Sequence, residues 1–357
     1  MMKLYLISGF LGSGKTTAIQ NACTQLMKEK VNVGVITNDQ GVQLVDTRFM
    51  RNANVPVMEV TDGCFCCNYD KVDSLIEVLK ESHYAEIVFA ESVGSCTDMI
   101  ATVVKPLQKF RKDIETVISV FVDANVLPTM LQSAPLFVDS VTYIYKKQIE
   151  EADILIVNKI DSLTDDELSK MDRLVNSKFP EKTILFQNSL DKDSIIQWLI
   201  TLENFKSGAR SSLEIDYDIY GAGEAELAWL DIEMELFADE NNAFETGVTL
   251  AKEIHWEITE QKLPIGHLKF FIDDGVQQKK ISFTSGVQTS INEIGKTVSA
   301  KADILINARV QTEPEHLKAL VFNTISKIEA TSGYKFITKD ISSFKPGYPK
   351  PTHRIID

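Results

Sequence analysis

Residues 3–17 read KLYLISGFLGSGKTT, an apolar run that breaks into glycines and then into a lysine and two threonines. Gly9, Gly14, Lys15 and Thr16 satisfy G-x-x-x-x-G-K-[ST], and the preceding run and following amphipathic stretch predict the strand and helix that this loop needs. The glycines let backbone N–H groups close around a phosphate, and the helix N-terminus adds its positive dipole. Lys15 can reach the β- and γ-phosphates, and the Thr16 hydroxyl can ligate Mg²⁺. Gly12, Ser13 and Thr17 complete the expected nucleotide-binding loop. The alternative is a glycine turn with no nucleotide.

Six further apolar runs follow: VNVGVITN (31–38), VPVMEV (55–60), EIVFAES (86–92), VISVFVD (117–123), DILIVNK (153–159) and KTILFQ (182–187). Near-continuous hydrophobicity marks strands buried on both faces, and the helix-length segments between them predict right-handed crossovers. Residues 1–205 therefore read as an α/β domain with a doubly wound, mostly parallel sheet. Ligands in such sheets lie beyond the carboxyl ends of the strands, which places the site after Ser8, Ser92 and Lys159.

Residues 206–225 are rich in Gly, Ser and charge and read as a linker, followed by a smaller α+β domain over 226–344. In LAWLDIEMELFA (227–238) the apolar and acidic residues alternate, as in a strand with one solvated face. A helix is expected over 243–262, strands at 266–273, 279–284 and 302–310, a helix from Pro314, and a last strand near 334–341. That order suggests a ferredoxin-like sandwich with a bare sheet face carrying Asp231, Glu233, Glu235, His267, Lys269 and Arg309. The tail, 345–357, is proline-rich and basic and is expected to be extended.

A chain of 357 residues is long enough for two cores, and 44% apolar with 25% charged residues is ordinary for a soluble protein. No apolar run reaches the ~20 residues of a membrane helix, and the phosphate-loop pattern leaves no room for a signal peptide, so a cytoplasmic protein is expected. A net charge of −14 argues against nucleic-acid binding, which needs a basic surface. Five cysteines, three of them at Cys64, Cys66 and Cys67, point to metal or redox chemistry rather than a disulfide framework.

In NKID (158–161), Asp161 can accept both N1–H and N2–H of guanine while Asn158 and Lys159 brace the base and loop. Glu91 at a strand end can hold the Mg²⁺ shell, with Asp123 as its competitor, and Gly94 can turn its N–H toward a γ-phosphate. Asp39, in NDQG (38–41), is placed for a switch or water-orienting role. Cys64, Cys66 and Cys67 form C-x-C-C. Three such thiolates repel one another unless a soft cation such as Zn²⁺ or Cu⁺ gathers them, and no fourth ligand is local. Buried structural cysteines or a redox pair are the alternative.

At GFLGSGKTT, the C-x-C-C of DGCFCC, Glu91-x-x-Gly94, VDA (122–124) and NKID, all within about residues 1–200, the chain resembles the CobW-like family of P-loop GTPases, related to the UreG and HypB metallochaperones. It departs at NDQG, where relatives often read NEFG, at SVGSCTD after Glu91, and in lacking a histidine-rich run. The resemblance implies GTP hydrolysis coupled to delivery of a metal, often Zn²⁺, or to maturation of a metalloenzyme or cobalamin-dependent (corrinoid) enzyme. Carried over, Lys15 and Thr16 take phosphate and Mg²⁺, Glu91 the Mg²⁺ shell, Asp161 the guanine, and Cys64, Cys66 and Cys67 the metal. The second domain would carry client specificity, and a nucleotide-dependent homodimer is a further arrangement open to such a protein. The competing function is a binding switch that clamps a corrinoid or metal enzyme, with structural Zn²⁺ and no transfer.

Overall fold

The computed structural model describes residues 1–38, 45, 55–61, 63–132, 135–206, 208–239, 241–285, 298–331 and 333–356. Seven strands form one sheet in the order β3-β2-β4-β1-β5-β6-β7. They are β1 (Met2–Ser8), β2 (Val33–Asn38), β3 (Val57–Val60), β4 (Ile87–Glu91), β5 (Ile114–Asp123), β6 (Ile154–Asn158) and β7 (Thr183–Gln187). Every pairing is parallel. The seven apolar runs thus became the seven strands, and both faces of β1 and β5 are covered, as their uninterrupted hydrophobicity requires.

One covering layer is built by helices Lys15–Lys28 and Lys192–Asn204 over Tyr5, Phe89 and Phe121, the second helix contributing Trp198. Trp198 meets Phe121 edge-on at 5.2 Å, and its indole N–H donates to Ser119 Oγ at 3.1 Å, so the largest core side chain leaves no polar atom unpaired. The chain leaves β1 toward β2 on one side and later returns to β5 on the other. The carboxyl end of β1 is therefore a switch point, and the glycine loop occupies it.

The chain divides into two compact units, one of Met1–Gln40, Asp46–Gly223 and Tyr348–Asp357, the other of Gly41–Val45 and Glu224–Gly347. The segment 206–225 is not the bare linker its composition suggested. Arg210 pairs with Asp153 at 2.6 Å and donates to the Thr116 carbonyl at 2.7 Å, and Tyr217–Ala225 is a helix whose Tyr220 packs on Ile144 and Ile215. Its glycines serve close packing: a Cβ at Gly223 would stand 2.5 Å from the Ser140 carbonyl oxygen. The tail has no regular structure and packs with the first unit from Tyr348 onward.

The second unit is a five-stranded antiparallel sheet, order β10-β9-β11-β8-β12, from β8 (Leu227–Ala238), β9 (Ile265–Asp273), β10 (Gln278–Phe283), β11 (Lys301–Gln311) and β12 (Tyr334–Phe344). Without the edge strand β10, the order is β-α-β-β-α-β, the helices being Ala243–Glu260 and Pro314–Thr331. Ala228, Leu230, Ile232, Met234 and Leu236 face the helices as alternation predicts. The opposite face is not bare. Asp231, His267 and Arg309 are buried, Arg309 completely, and Glu233 and Lys269 are half-buried. Arg309 pairs with Asp231 at 2.6 Å, lies over the Trp229 ring at 4.0 Å, and shares Asp231 with the Asn307 amide at 2.7 Å. Glu235 stays nearer the surface, paired with Lys301 and, at 2.8 Å, with Lys339. Alternation shows which residues share a face, not whether that face meets water.

Candidate nucleotide and metal site

Gly9, Gly12 and Gly14 all hold φ between +74° and +125°. At Gly9 the left-handed backbone is needed for close approach as well, because a Cβ would fall 2.1 Å from the Phe121 carbonyl oxygen. The helix beginning at Lys15 then aims its N-terminus into the loop. Lys15 Nζ donates to the Gly9 carbonyl at 2.7 Å and the Phe10 carbonyl at 3.3 Å, and Thr16 Oγ1 donates to Glu91 Oε1 at 2.9 Å. Ser13 Oγ is buried without a protein hydrogen-bond partner among the described residues. Thr17 is half-buried one position on. A loop of left-handed glycines at a helix N-terminus, a lysine folded across it and a Thr–Glu pair at its lip fit a nucleoside phosphate with Mg²⁺.

The same geometry separates the two candidate acids. Asp123 is occupied by Lys159 Nζ at 2.7 Å and by the Asn125 amides, whereas Glu91 is the carboxylate on Thr16. Gly94 lies against the loop, where a Cβ would be 2.9 Å from Leu11 N. Asn158 is a clamp: its amide donates to the Ser13 carbonyl at 2.7 Å, and its oxygen accepts from Ser189 N–H at 3.1 Å and Ser189 Oγ at 2.8 Å. Lys159 takes a left-handed backbone, φ 65°, at the turn out of β6, and Asp161 is exposed in the short helical turn Ile160–Ser162. Asp39 lies outside the described residues.

The three motif sulfurs lie within 4.8 Å of one another, with Cys64–Cys67 at 3.3 Å and Cys66–Cys67 at 3.7 Å. Zn–S bonds of about 2.3 Å in a tetrahedron place sulfurs about 3.8 Å apart, so this trio is already close to the spacing Zn²⁺ requires. Hydrogen bonds from Cys66, then Cys67 and Cys96, pull the Cys64 thiol well below its ordinary value. The reciprocal contact with Cys64 raises Cys66, and the bond to Cys64 pushes Cys67 up to about 11. One thiolate in the cluster is favoured and further ones are not until a cation arrives.

Residues outside the cysteine motif hold this loop. Asn38, the last residue of β2, donates to the Val60 and Gly63 carbonyls at 3.0 and 2.7 Å and accepts from Phe65 N–H at 3.0 Å. The tail crosses the loop: Thr352 N–H donates to the Cys66 carbonyl at 2.8 Å and Lys350 N–H to Cys67 Sγ at 3.2 Å. Arg354 anchors it on Asp98 at 2.7 Å. Asn38 stood in a quoted motif and could have been suspected; the tail contacts have no local signal.

The phosphate loop, its Thr–Glu pair and the clamp from β6, on a seven-stranded parallel sheet, define a P-loop nucleotide-binding domain. The profile of the CobW/HypB/UreG nucleotide-binding domain matches residues 3–186, just over half of the chain, and the chain belongs to that family of P-loop GTPases. Among curated relatives it is 30% identical over 96 residues to the zinc chaperone YjiA of Escherichia coli, covering 26% of this chain and 30% of that protein. It is 25% identical over 183 residues to the zinc chaperone CobW of a Sinorhizobium species, covering 48% and 49%. The chain thus spans half or less of the length of these relatives. HypB from Helicobacter pylori, solved with nickel, aligns with TM-score 0.42 and 18% identity over 58% of this chain and 91% of that one. Among the described residues, no helix is long and apolar enough to cross a membrane.

Proposed function

We propose that this protein is a GTP-hydrolysing metallochaperone that carries Zn²⁺ on Cys64, Cys66 and Cys67 and delivers it to a client metalloenzyme or corrinoid protein. The observation that carries the reading is the sulfur trio at near-Zn²⁺ spacing on a loop held by Asn38, in the same compact unit as the phosphate loop. The zinc-chaperone relatives support it. In this reading Lys15 would turn from the Gly9 and Phe10 carbonyls to the β- and γ-phosphates, and Thr16 with Glu91 would hold Mg²⁺, which would supply neutralising charge to the phosphates. Asp161 takes the guanine edge. Asp39 orients the attacking water, and Gly94 offers its N–H to the γ-phosphate.

A structural Zn²⁺ site in a client-clamping switch is the second reading, favoured by the burial of Cys64 and Cys66 and the tail across them. Zn²⁺ titrated against a chelator in the GTP and GDP states separates the two, since coupled sites typically differ by about 1–3 kcal/mol. Transfer to an acceptor accompanied by nucleotide-dependent affinity supports the chaperone. Identical affinities and no transfer leave the second reading.

A further inference from the structure

An acceptor takes a metal by ligand exchange: its own donor atom bonds the metal as a motif thiolate leaves and takes up a proton, so the acceptor must come within bonding distance of the sulfurs. Cys64 and Cys66 are buried, and Cys67 is the half-buried member of the trio. Lys350 of the tail caps that more open sulfur, donating its N–H to Cys67 Sγ at 3.2 Å. We propose that the tail segment 348–355 is a strap that closes the cysteine loop and must lift before a metal held there can pass to an acceptor. The proposal rests on the reading that the motif cysteines hold a metal.

The strap is fastened on both sides of the loop. Ahead of it, Tyr348 donates its hydroxyl to Asp218 at 3.1 Å, and its ring packs on Gly221, where a Cβ would stand 2.8 Å away. Over the loop, Thr352 donates its N–H to the Cys66 carbonyl at 2.8 Å and its hydroxyl to the Cys67 carbonyl at 3.0 Å. Beyond it, the His353 ring meets Tyr69 edge-on at 5.0 Å and Phe110 at 5.4 Å, and Ile355 N–H donates to the Ala101 carbonyl at 2.9 Å.

Such a segment can lift as a unit, because it belongs to no helix or strand that would have to unfold. Pro349 and Pro351 keep it extended, which lowers the entropy lost each time it docks. Arg354 is the latch. Asp98 is completely buried with a left-handed backbone, φ 67°, and one of its carboxylate oxygens accepts from Arg354 Nε and from the Tyr217 hydroxyl, each at 2.7 Å. The guanidinium also lies over the Tyr217 ring at 4.9 Å. Lifting the strap takes the cation away from a buried carboxylate, so the closed state is the resting one and the open state is the minor one.

The test compares the full-length wild type with Arg354→Gln, which removes the latch, and with Lys350→Pro. The latter deletes the N–H on Cys67 at a position that Pro351 already keeps extended. Melting and GTP affinity check folding. Three quantities are read: alkylation of Cys67 by iodoacetamide in metal-free protein, the rate of Zn²⁺ loss to excess chelator, and Zn²⁺ affinity at equilibrium. Losing a hydrogen bond between charged groups shifts an equilibrium roughly 10-fold or more, so Arg354→Gln should speed both alkylation and Zn²⁺ loss about 10-fold. Affinity should stay within about 3-fold, because a strap that opens more often speeds loading as well as release. Lys350→Pro should act in the same direction, and it carries the comparison alone if Arg354→Gln does not fold. Wild-type rates in the folded variants overturn the strap. Faster alkylation without faster Zn²⁺ loss also overturns it, as does an affinity loss as large as the gain in rate, which would make the tail part of the binding site and not a gate. Cys66→Ser protein binding Zn²⁺ as the wild type does sinks the metal reading instead, and the alkylation rates, which need no metal, still decide whether the tail closes the loop.

Discussion

Replacing Asn158 by alanine tests whether the clamp behind the phosphate loop is built as the structure shows. The side chain is buried and makes three hydrogen bonds, to the Ser13 carbonyl, the Ser189 N–H and the Ser189 hydroxyl. The Ser189 hydroxyl can rotate to another acceptor, but the Ser13 carbonyl and Ser189 N–H cannot. At about 1 kcal/mol for each bond, with more for buried groups left unsatisfied, the loss is about 3 kcal/mol. For a unit of this size 1 kcal/mol corresponds to roughly 2–4 °C, so circular dichroism melts should show Tm falling by about 6–12 °C. Ser189→Ala, which deletes the hydroxyl's bond to Asn158 and the one it accepts from the Gln187 amide, should cost about two-thirds as much. GTP affinity should fall in Asn158→Ala more than in Ser189→Ala, because only the former frees the Ser13–Gly14 peptide that borders the phosphates. A melt within 2 °C of wild type, with unchanged GTP affinity, would refute the clamp (two degrees being about the shift of a single weak hydrogen bond).

Asp161→Asn should lower GTP affinity by about 2–4 kcal/mol while gaining xanthosine triphosphate binding, since the exchange turns an acceptor into a donor at the base edge; equal binding of ATP and GTP by the wild type contradicts the assignment. Burial pushes the Glu151 carboxyl up to about 7 despite hydrogen bonds from Ile100 N–H and Thr97, so the folded state favours the proton. Its stabilising contribution is full below pH ~4.5 and is lost as pH rises through ~7, an effect of about 3 kcal/mol. Glu151→Gln should therefore match wild type in stability near pH 4.5 and exceed it increasingly up to pH 7, measured by urea melts; a pH-independent difference refutes the buried-proton account. Asp231→Ala leaves Arg309 buried without its carboxylate and should cost about 3–5 kcal/mol, whereas Asp231→Leu with Arg309→Met should recover most of it. Equal melts for the single and double variants would show that the pair is not the buried contact described.

Much of this protein was legible without coordinates. Strands buried on both faces carry unbroken apolar runs, so all seven runs of the first unit and the phosphate loop could be read locally. The C-x-C-C and NKID motifs were legible for the same reason: each chemistry needs particular side chains within a few residues. Composition misled at 206–225, where glycines that looked like linker residues permit a helix to pack closely against Ser140. Alternation in β8 identified the face of Asp231 but not its burial, because burial depends on what lies over the sheet.

The sequence by itself determined the strands of the first unit, the class of nucleotide loop and the three motif sulfurs, all of which depend on neighbours along the chain. Only the tertiary structure decided that Glu91 meets Thr16 while Asp123 serves Lys159, since both acids end apolar strands that flank β1 and only their folded side-chain partners tell them apart. It also decided that the tail meets the cysteine loop. Those contacts join segments far apart in sequence, and no local propensity encodes a distance that arises only when the strands between them are laid side by side.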